Sequence, residues 1–559
     1  MELLAGKNIA IFFFAAVILA VNIFVFYSPI LRYGYATGWL DANDHTYAIK
    51  LLFIDPALSL KSIFSLTTLC DPFPKDECKL LASSTNPPTF YLIGGLVSAL
   101  PIKDVNVGYA TTTILLSLAS IALFFILYSL TKNLLLSFLP SAAFGINIIL
   151  LWGLQQGLYT ALIGTLFFPL AVYFFYKSLK EQTRKNFAYL LVAITFLNLS
   201  TLYYLIPFAI SAAVLILFLT LRDRTFVKNY FASFFGIFKE KKYWLLLILN
   251  LFYFIRAFFA FREAIFRGFE GTSMEVLQVA AQVNYVGSLE TLFVMLPNLF
   301  YPFMVIAIVL SGYTLLKILR KKDQLELNEF SFLVLYTIGP LLVIYFPILM
   351  AKYFPSINFL TVYVADHILK SINLLTHLFL ISFAFLFYFL FKKFGSSLGK
   401  QIILYIMIIG LIYLAYKSIA NPINIISGEN YEFGYYRTPS GKIVQVGEYG
   451  RLFATFIDRQ PSLNDNKYVA MEFIRTESPQ NAKILIMHPQ YSFESFFLRD
   501  YELITKANTT VEELDEMGIN SNYDYVLMST EFVDLRNYFI TKNYNSVYSN
   551  PEISILART

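Results

Sequence analysis

The stretch Gly38 to Lys50 reads Gly-Trp-Leu-Asp-Ala-Asn-Asp-His-Thr-Tyr-Ala-Ile-Lys and sets two carboxylates, Asp41 and Asp44, beside an imidazole, His45. A carboxylate so placed can serve as general base toward a substrate hydroxyl. The stretch follows directly on an apolar segment, Lys7 to Ile30. Ionisable groups at the edge of a membrane span are costly unless they meet water, a partner or a substrate. Helical spacing after Asp44 places Tyr47, Ala48, Leu51 and Leu52 on one stripe, as in an amphipathic helix lying in the interface. Asp44 then sits near the helix N-terminus, where the dipole favours its charged form. The competing reading is an N-cap aspartate on a solvated loop.

The rest of the chain must hold these groups at a membrane. Of 559 residues, 57% are hydrophobic and only 14% charged, against about 25% charged in an ordinary soluble protein. Apolar runs long enough to cross the hydrocarbon core recur. The expected fold is therefore mainly α, a polytopic helical bundle, with the first span retained rather than removed as a signal peptide. Spans are expected near 8–30, 107–130, 134–152, 158–176, 188–200, 203–221, 243–260, 291–316, 330–350, 371–391 and 401–419, eleven in all. The short apolar run Pro87 to Leu100 reads as a juxtamembrane helix opening on a proline pair. With that choice Lys7, Lys132, Lys177 to Lys185, Arg222 to Lys242, Lys317 to Lys322 and Lys392 to Lys400 all fall on one side. The positive-inside rule makes that side cytoplasmic. The N-terminus is then inside. The loop 31–106, the segments 261–290 and 351–370, and everything after residue 420 are outside. The net charge of +6 thus reports orientation and implies no nucleic-acid partner.

Two domains follow: a membrane domain over 1–420 and a soluble extracytoplasmic domain over 421–559. In the latter, Tyr431 to Arg437 and Lys442 to Val446 flank Thr-Pro-Ser-Gly and read as a hairpin. A helix is expected near Asn464 to Glu477, a strand at Ala482 to Met487, a helix near Phe493 to Arg499, and strands near Tyr501 to Ile504 and Tyr525 to Met528. A capping box at Thr509 to Glu512 starts another helix. It overlaps Asn508-Thr509-Thr510, which also fits a glycosylation acceptor. Alternating strands and helices imply a small α/β domain with a largely parallel sheet.

Other polar residues gather in the outer segments. The only cysteines, Cys70 and Cys78, lie in the first outer loop, where a disulfide competes with two free thiols. Arg256, Arg262 and Arg267 follow or end the seventh span, and Lys352 and Lys370 bracket the later outer segment. Such cations suit phosphate oxygens, although long basic side chains at helix ends also snorkel to lipid headgroups. Asp366 and His367 precede a span, either as sugar or phosphate contacts or as a plain helix start. His377 lies within a span and His488 at a strand end; the four histidines show no His-x-x-x-His spacing that would mark a zinc site.

Two elements together carry a family resemblance. One is the single span followed at once by the Asp41–Asp44 loop. The other is Ser83-Ser84-Thr85-Asn86-Pro87-Pro88-Thr89-Phe90-Tyr91, a proline pair opening a short helix of the type Pro-Pro-x-x-Tyr. Over roughly residues 8–220 the layout resembles the GT-C superfamily of membrane glycosyltransferases, which includes protein O-mannosyltransferases and aminoarabinose transferases. The resemblance implies transfer of a sugar from a polyprenyl-phosphate donor to a protein, lipid or glycan acceptor on the non-cytoplasmic face. It places the family's first-loop acid at Asp44, with Asp41 the rival and His45 adjacent. Many members carry a further acid after the third span. Here that turn, Trp152-Gly153-Leu154-Gln155-Gln156-Gly157, offers the amides Gln155 and Gln156 for substrate instead, which argues against a two-acid site. No Trp-Trp-Asp signature occurs, so en bloc oligosaccharide transfer is not expected. The sequence establishes no cofactor, and a divalent metal remains compatible. A transporter or lipid flippase is the main rival reading; against it, no paired broken helices occupy matching halves.

Overall fold

The computed structural model describes residues 2–33, 45–46, 49, 88–103, 106–146, 150, 153–154, 159–200, 202–266, 300–320, 327–353, 373–393, 397–420, 435–437, 443–445, 465–479, 481–487, 498, 501–505, 511–516 and 523–559. The membrane part is all helix. In chain order it comprises α1 (Glu2–Tyr33), α2 (Pro88–Val97), α3 (Val107–Thr131) and α4 (Leu134–Ala142), the last running into a 3-10 turn Ala143–Ile146. A single turn Tyr159–Leu162 leads into α5 (Gly164–Lys180), followed by α6 (Arg184–Ser200), α7 (Leu202–Arg222), α8 (Arg224–Gly236) and α9 (Lys242–Phe266). The series closes with α10 (Phe300–Arg320), α11 (Phe330–Tyr353), α12 (Asn373–Lys393) and α13 (Ser397–Ala420).

Most expected spans coincide with these helices to within a few residues. Five described helical stretches are long and apolar enough to cross a membrane: Ile9–Ser28, Val107–Thr131, Tyr159–Lys180, Tyr204–Arg222 and Phe330–Pro347. Large apolar side chains such as Phe12, Phe13, Leu245, Val309 and Ile409 stand exposed on the bundle. On a soluble protein so much apolar surface would be a liability; on a membrane bundle it faces acyl chains.

Two details differ from the sequence reading. The span expected over 134–152 stops being α-helical at Ala142. Pro140 removes a helical donor there, and Gly145 lies so close to Asn22 of α1 that a Cβ would collide with its side-chain oxygen. The basic connection 222–242 contains α8, opened by an Asp223 side chain that accepts from the Phe226 N–H at 2.9 Å. The start of the span expected from 291 lies outside the described residues, which resume at Phe300.

Polar residues inside the bundle are handled locally. Thr111, Thr112, Ser117 and Thr131 of α3 donate their hydroxyls to carbonyls one turn back, the cheapest way to hide a hydroxyl where no water is available. Asn198 of α6 donates to the Asn250 carbonyl at 2.9 Å, and Asn250 of α9 donates to Thr195 Oγ1 at 2.6 Å, tying α6 to α9. Where α11 crosses α7, Gly339 lies against the Pro207 carbonyl, and its N–H donates to Ser211 Oγ at 2.7 Å.

One end of the bundle is basic and laced by polar links. Arg184 pairs with Glu240, and Lys242 with the same carboxylate at 2.7 Å. Arg222 donates to the Ile318 carbonyl at 2.9 Å, Ser178 bonds Tyr230 at 2.9 Å, and Lys392 pairs with Glu329 at 3.5 Å. The ends of α5, α7, α10 and α12 therefore meet the starts of α6, α9 and α11 at one end, the co-location that the charge distribution anticipates. Exposed pairs of this kind are screened by solvent and contribute little; their value here is in marking the end of the bundle.

The C-terminal part holds β1 (Tyr435–Arg437) and β2 (Ile443–Gln445), antiparallel as expected for the hairpin. Then come α14 (Asp465–Glu477), β3 (Lys483–Met487), β4 (Glu502–Thr505), α15 (Val511–Glu516), β5 (Tyr525–Ser529), α16 (Val533–Thr541), β6 (Tyr544–Ser549) and β7 (Ile553–Arg558). The sheet order is β4-β3-β5-β7-β6. It is mixed rather than largely parallel: β3 runs parallel to β4 and β5, while β7 is antiparallel to β5 and β6. Alternation along β3 feeds two cores, Ile484 and Ile486 facing Ile474, and Leu485 and Met487 facing Leu514 and Phe539. The turn before β7 is held by Asn550, whose oxygen accepts from the Glu552 and Ile553 N–H groups and whose amide donates to the Asn466 carbonyl at 2.7 Å.

Two substitutions test these joints. Gly339→Ala drives a methyl into the Pro207 carbonyl and is expected to destabilise by about 1–3 kcal/mol, seen as a lower melting temperature of the detergent-solubilised protein. Asn550→Ala removes the turn's bonds and is expected to cost about 1–2 kcal/mol, read as earlier proteolysis after residue 420.

Candidate active site at the end opposite the basic helix ends

Asp41 and Asp44 lie outside the described residues, as do Gln155, Gln156, Asp366, His367, Lys370, Cys70, Cys78, Arg267 and His488. Arg262 and Lys352 fall on the backbones of α9 and α11 with side chains outside that description. The structure does place His45, next in sequence to Asp44, and Arg256.

His45, Thr46 and Ile49 are helical. The buried face runs through Thr46 and Ile49; the expected stripe Tyr47, Ala48, Leu51 and Leu52 lies outside the described residues. Two glycines let this turn seat. A Cβ on Gly94 of α2 would strike the Ile49 side chain, and one on Gly108 of α3 would lie 2.6 Å from Thr46 Oγ1.

The proline pair does what the sequence suggests. Pro88 is the first residue of α2, its fixed φ and missing N–H suiting the first helical turn. The helix it starts buries Thr89, Phe90 and Tyr91. His45 Nδ1 lies 3.2 Å from the Tyr91 hydroxyl. Its ring is set among Phe90, Tyr91 and Tyr159 at centroid distances of 5.7, 6.3 and 6.0 Å. Tyr109 packs edge-on against Tyr159 and donates its hydroxyl to the Phe26 carbonyl of α1 at 2.6 Å. The first loop, α2, the start of α3 and the turn before α5 thus converge on one imidazole.

Arg256 comes to the same place from α9. It is only 5% exposed, and its guanidinium lies 5.7 Å from the Tyr253 ring centroid. A buried guanidinium in a helical bundle is expensive and makes Arg256 a candidate for meeting anionic charge. Its planar fork matches phosphate oxygens better than an ammonium does. His45, Tyr91, Tyr159 and Arg256 all sit where α3 and α5 begin and α9 nears its end, opposite the lysine- and arginine-rich end.

The sequence reading named His45 and Arg256 but not Tyr91, Tyr109, Tyr159 or Tyr253 as site residues. Tyr91 carried a signal, the Pro-Pro-x-x-Tyr spacing; the others carried none. As to metal, no three of His, Cys, Asp and Glu come together among the described residues. If α3 holds the first loop in place, Gly108→Ala is expected to raise diethyl pyrocarbonate modification of His45 several-fold, measured by peptide mass spectrometry. An unchanged rate would detach the His45 turn from α3.

No protein-family model matches the chain, and no curated protein matches it in sequence. Among solved structures, the chain is similar to the oligosaccharyltransferase of Archaeoglobus fulgidus, crystallised with Zn and sulfate. The TM-score is 0.50 at 11% identity, covering 98% of this chain and 73% of that one. It is also similar to ArnT from Cupriavidus metallidurans, crystallised with undecaprenyl phosphate, with a TM-score of 0.47 at 10% identity, covering 98% of this chain and 97% of that one. At such low identity the likeness speaks for the fold, and it reaches along nearly the whole chain. In fold, this multi-pass chain is similar to the Archaeoglobus fulgidus oligosaccharyltransferase.

Proposed function

We propose that the protein transfers a sugar from a polyprenyl-phosphate donor to an acceptor hydroxyl or amine at the non-cytoplasmic membrane surface. One observation supports the reading: His45, next in sequence to Asp44, lies against Tyr91 of the helix opened by Pro88, and the buried Arg256 of α9 approaches the same end of the bundle. That end is opposite the basic helix ends, which the positive-inside rule assigns to the cytoplasm. On this orientation residues 421–559 are extracytoplasmic.

In the proposed reaction the Asp44 carboxylate takes the proton from the acceptor as its oxygen or nitrogen attacks the anomeric carbon. The bond from that carbon to the phosphate oxygen breaks, and the polyprenyl phosphate leaves with the electron pair. Charge growing on the phosphate is met by Arg256, with Arg262, Lys352 and Lys370 as further candidate cations. The anomeric carbon passes through an oxocarbenium-like state, and a single displacement inverts it. The Tyr91 hydroxyl holds the His45 imidazole, and through the backbone it limits where Asp44 can stand. Asp41 is the alternative base. Gln155, Gln156, Asp366 and His367 are candidate sugar contacts. No step is assigned to a metal.

The test is loss of label from radiolabelled polyprenyl-phosphate hexoses or pentoses in proteoliposomes. Asp44→Asn is expected to lower turnover about 10²–10⁴-fold with unchanged expression. Arg256→Gln is expected to lower it about 10²-fold or more, with Arg256→Lys recovering part of that. Full activity of Asp44→Asn together with loss in Asp41→Asn would move the base. Lipid-linked sugar crossing the bilayer uncleaved would favour a flippase instead.

A further inference from the structure

Deeper in the bundle, three buried polar side chains converge that the proposed reaction does not use. Tyr204 of α7, Tyr336 of α11 and His377 of α12 are each fully buried. Neither phenolic hydroxyl nor either imidazole nitrogen has a hydrogen-bond partner among the described residues. The rings belong to one cluster. Tyr336 lies 6.2 Å from His377, and Phe168 of α5 packs edge-on against Tyr336 at 5.1 Å and Tyr204 at 6.0 Å. Phe144 closes the other side of the imidazole at 5.3 Å, and Tyr204 is within electrostatic reach of Tyr336.

Backbone chemistry adds to the same place. Pro340 of α11 has no N–H to give the Tyr336 carbonyl, and Pro207 of α7 has none for the Tyr203 carbonyl. Two helices thus each free a backbone acceptor at or next to one of these tyrosines in sequence. Phenylalanine would fill this volume equally well were the place dry. Membrane helices keep such prolines when neighbouring side chains or ordered water satisfy the freed carbonyls. A neutral imidazole offers one donor and one acceptor, and each phenol offers both. That set suits a ligand that both gives and takes hydrogen bonds. No charged side chain joins the ring contacts described above, so an ion has nothing to balance it.

We infer that Tyr204, Tyr336 and His377 enclose an internal hydration site, in which ordered water bridges α7, α11 and α12. Buried waters of this kind make about three bonds each to polar groups that otherwise go unpaired. The site is a structural joint between three helices and does not depend on the proposed transferase chemistry.

X-ray radiolytic labelling of the detergent-solubilised wild-type protein in heavy-oxygen water reads bound water directly and requires no variant. Tyr204 and Tyr336 are expected to take up label several-fold faster than Tyr230, which is equally hidden but bonded to Ser178. Tyr336→Phe supplies an independent sign: it is expected to lower the melting temperature, because the water loses a partner. Labelling of Tyr204 and Tyr336 no faster than that of Tyr230 would overturn the inference. So would a higher melting temperature for Tyr336→Phe, the result expected if a dry, unpaired hydroxyl were removed.

Discussion

Hydrocarbon offers no hydrogen bonds, and that single constraint shapes most of this molecule. Every backbone N–H and C=O that crosses the membrane must be satisfied within the protein. Helices meet the demand at once, which is why 2–420 contains no other regular structure among its described residues. Hydroxyls bend back onto their own helices, as in α3, and amides reach across, as between Asn198 and Asn250. Irregular backbone is tolerable only at the bundle ends or beside a cavity.

The same constraint separates the two ends by charge. At one end arginine and lysine pair with Glu240 and Glu329 in open, screened positions. At the other the Arg256 guanidinium is drawn under cover beside Tyr253. The first arrangement is inexpensive and anchors the bundle. The second is costly, and such a cost is sensible where anionic substrate must be held. The glycines facing Ile49 and Thr46 belong to this second end: they let a loop turn lie flush on α2 and α3, so that His45 reaches Tyr91.

Much of the scaffold was legible because hydrophobic length and basic loops follow directly from bilayer thickness and orientation. The run Pro87 to Leu100 was read as a short helix opening on proline, and it is one. The helix over 224–236 was missed because its flanks are so basic that they read as loop, although Asp223 was a visible cap. The break after Ala142 depends on a tertiary approach between Gly145 and Asn22 that no local pattern encodes. The mixed sheet differs from the expectation for a similar reason: the antiparallel pairing of β7 with β5 and β6 is a long-range choice that no local pattern encodes. In the site, His45 and Arg256 stood out by charge. Tyr109, Tyr159 and Tyr253 could not, in a chain with 39 tyrosines and 57 phenylalanines.

The strand order after residue 465 bears on how that part of the chain comes together. β7, the latest strand in sequence, occupies an interior row, flanked by β5 and β6. β3, β4 and β5 can join as soon as they are available, but β6 has no described neighbour except β7. A nascent chain halted before Ile553 therefore presents two open ladders, and the sheet is exposed to wrong pairing until β7 arrives.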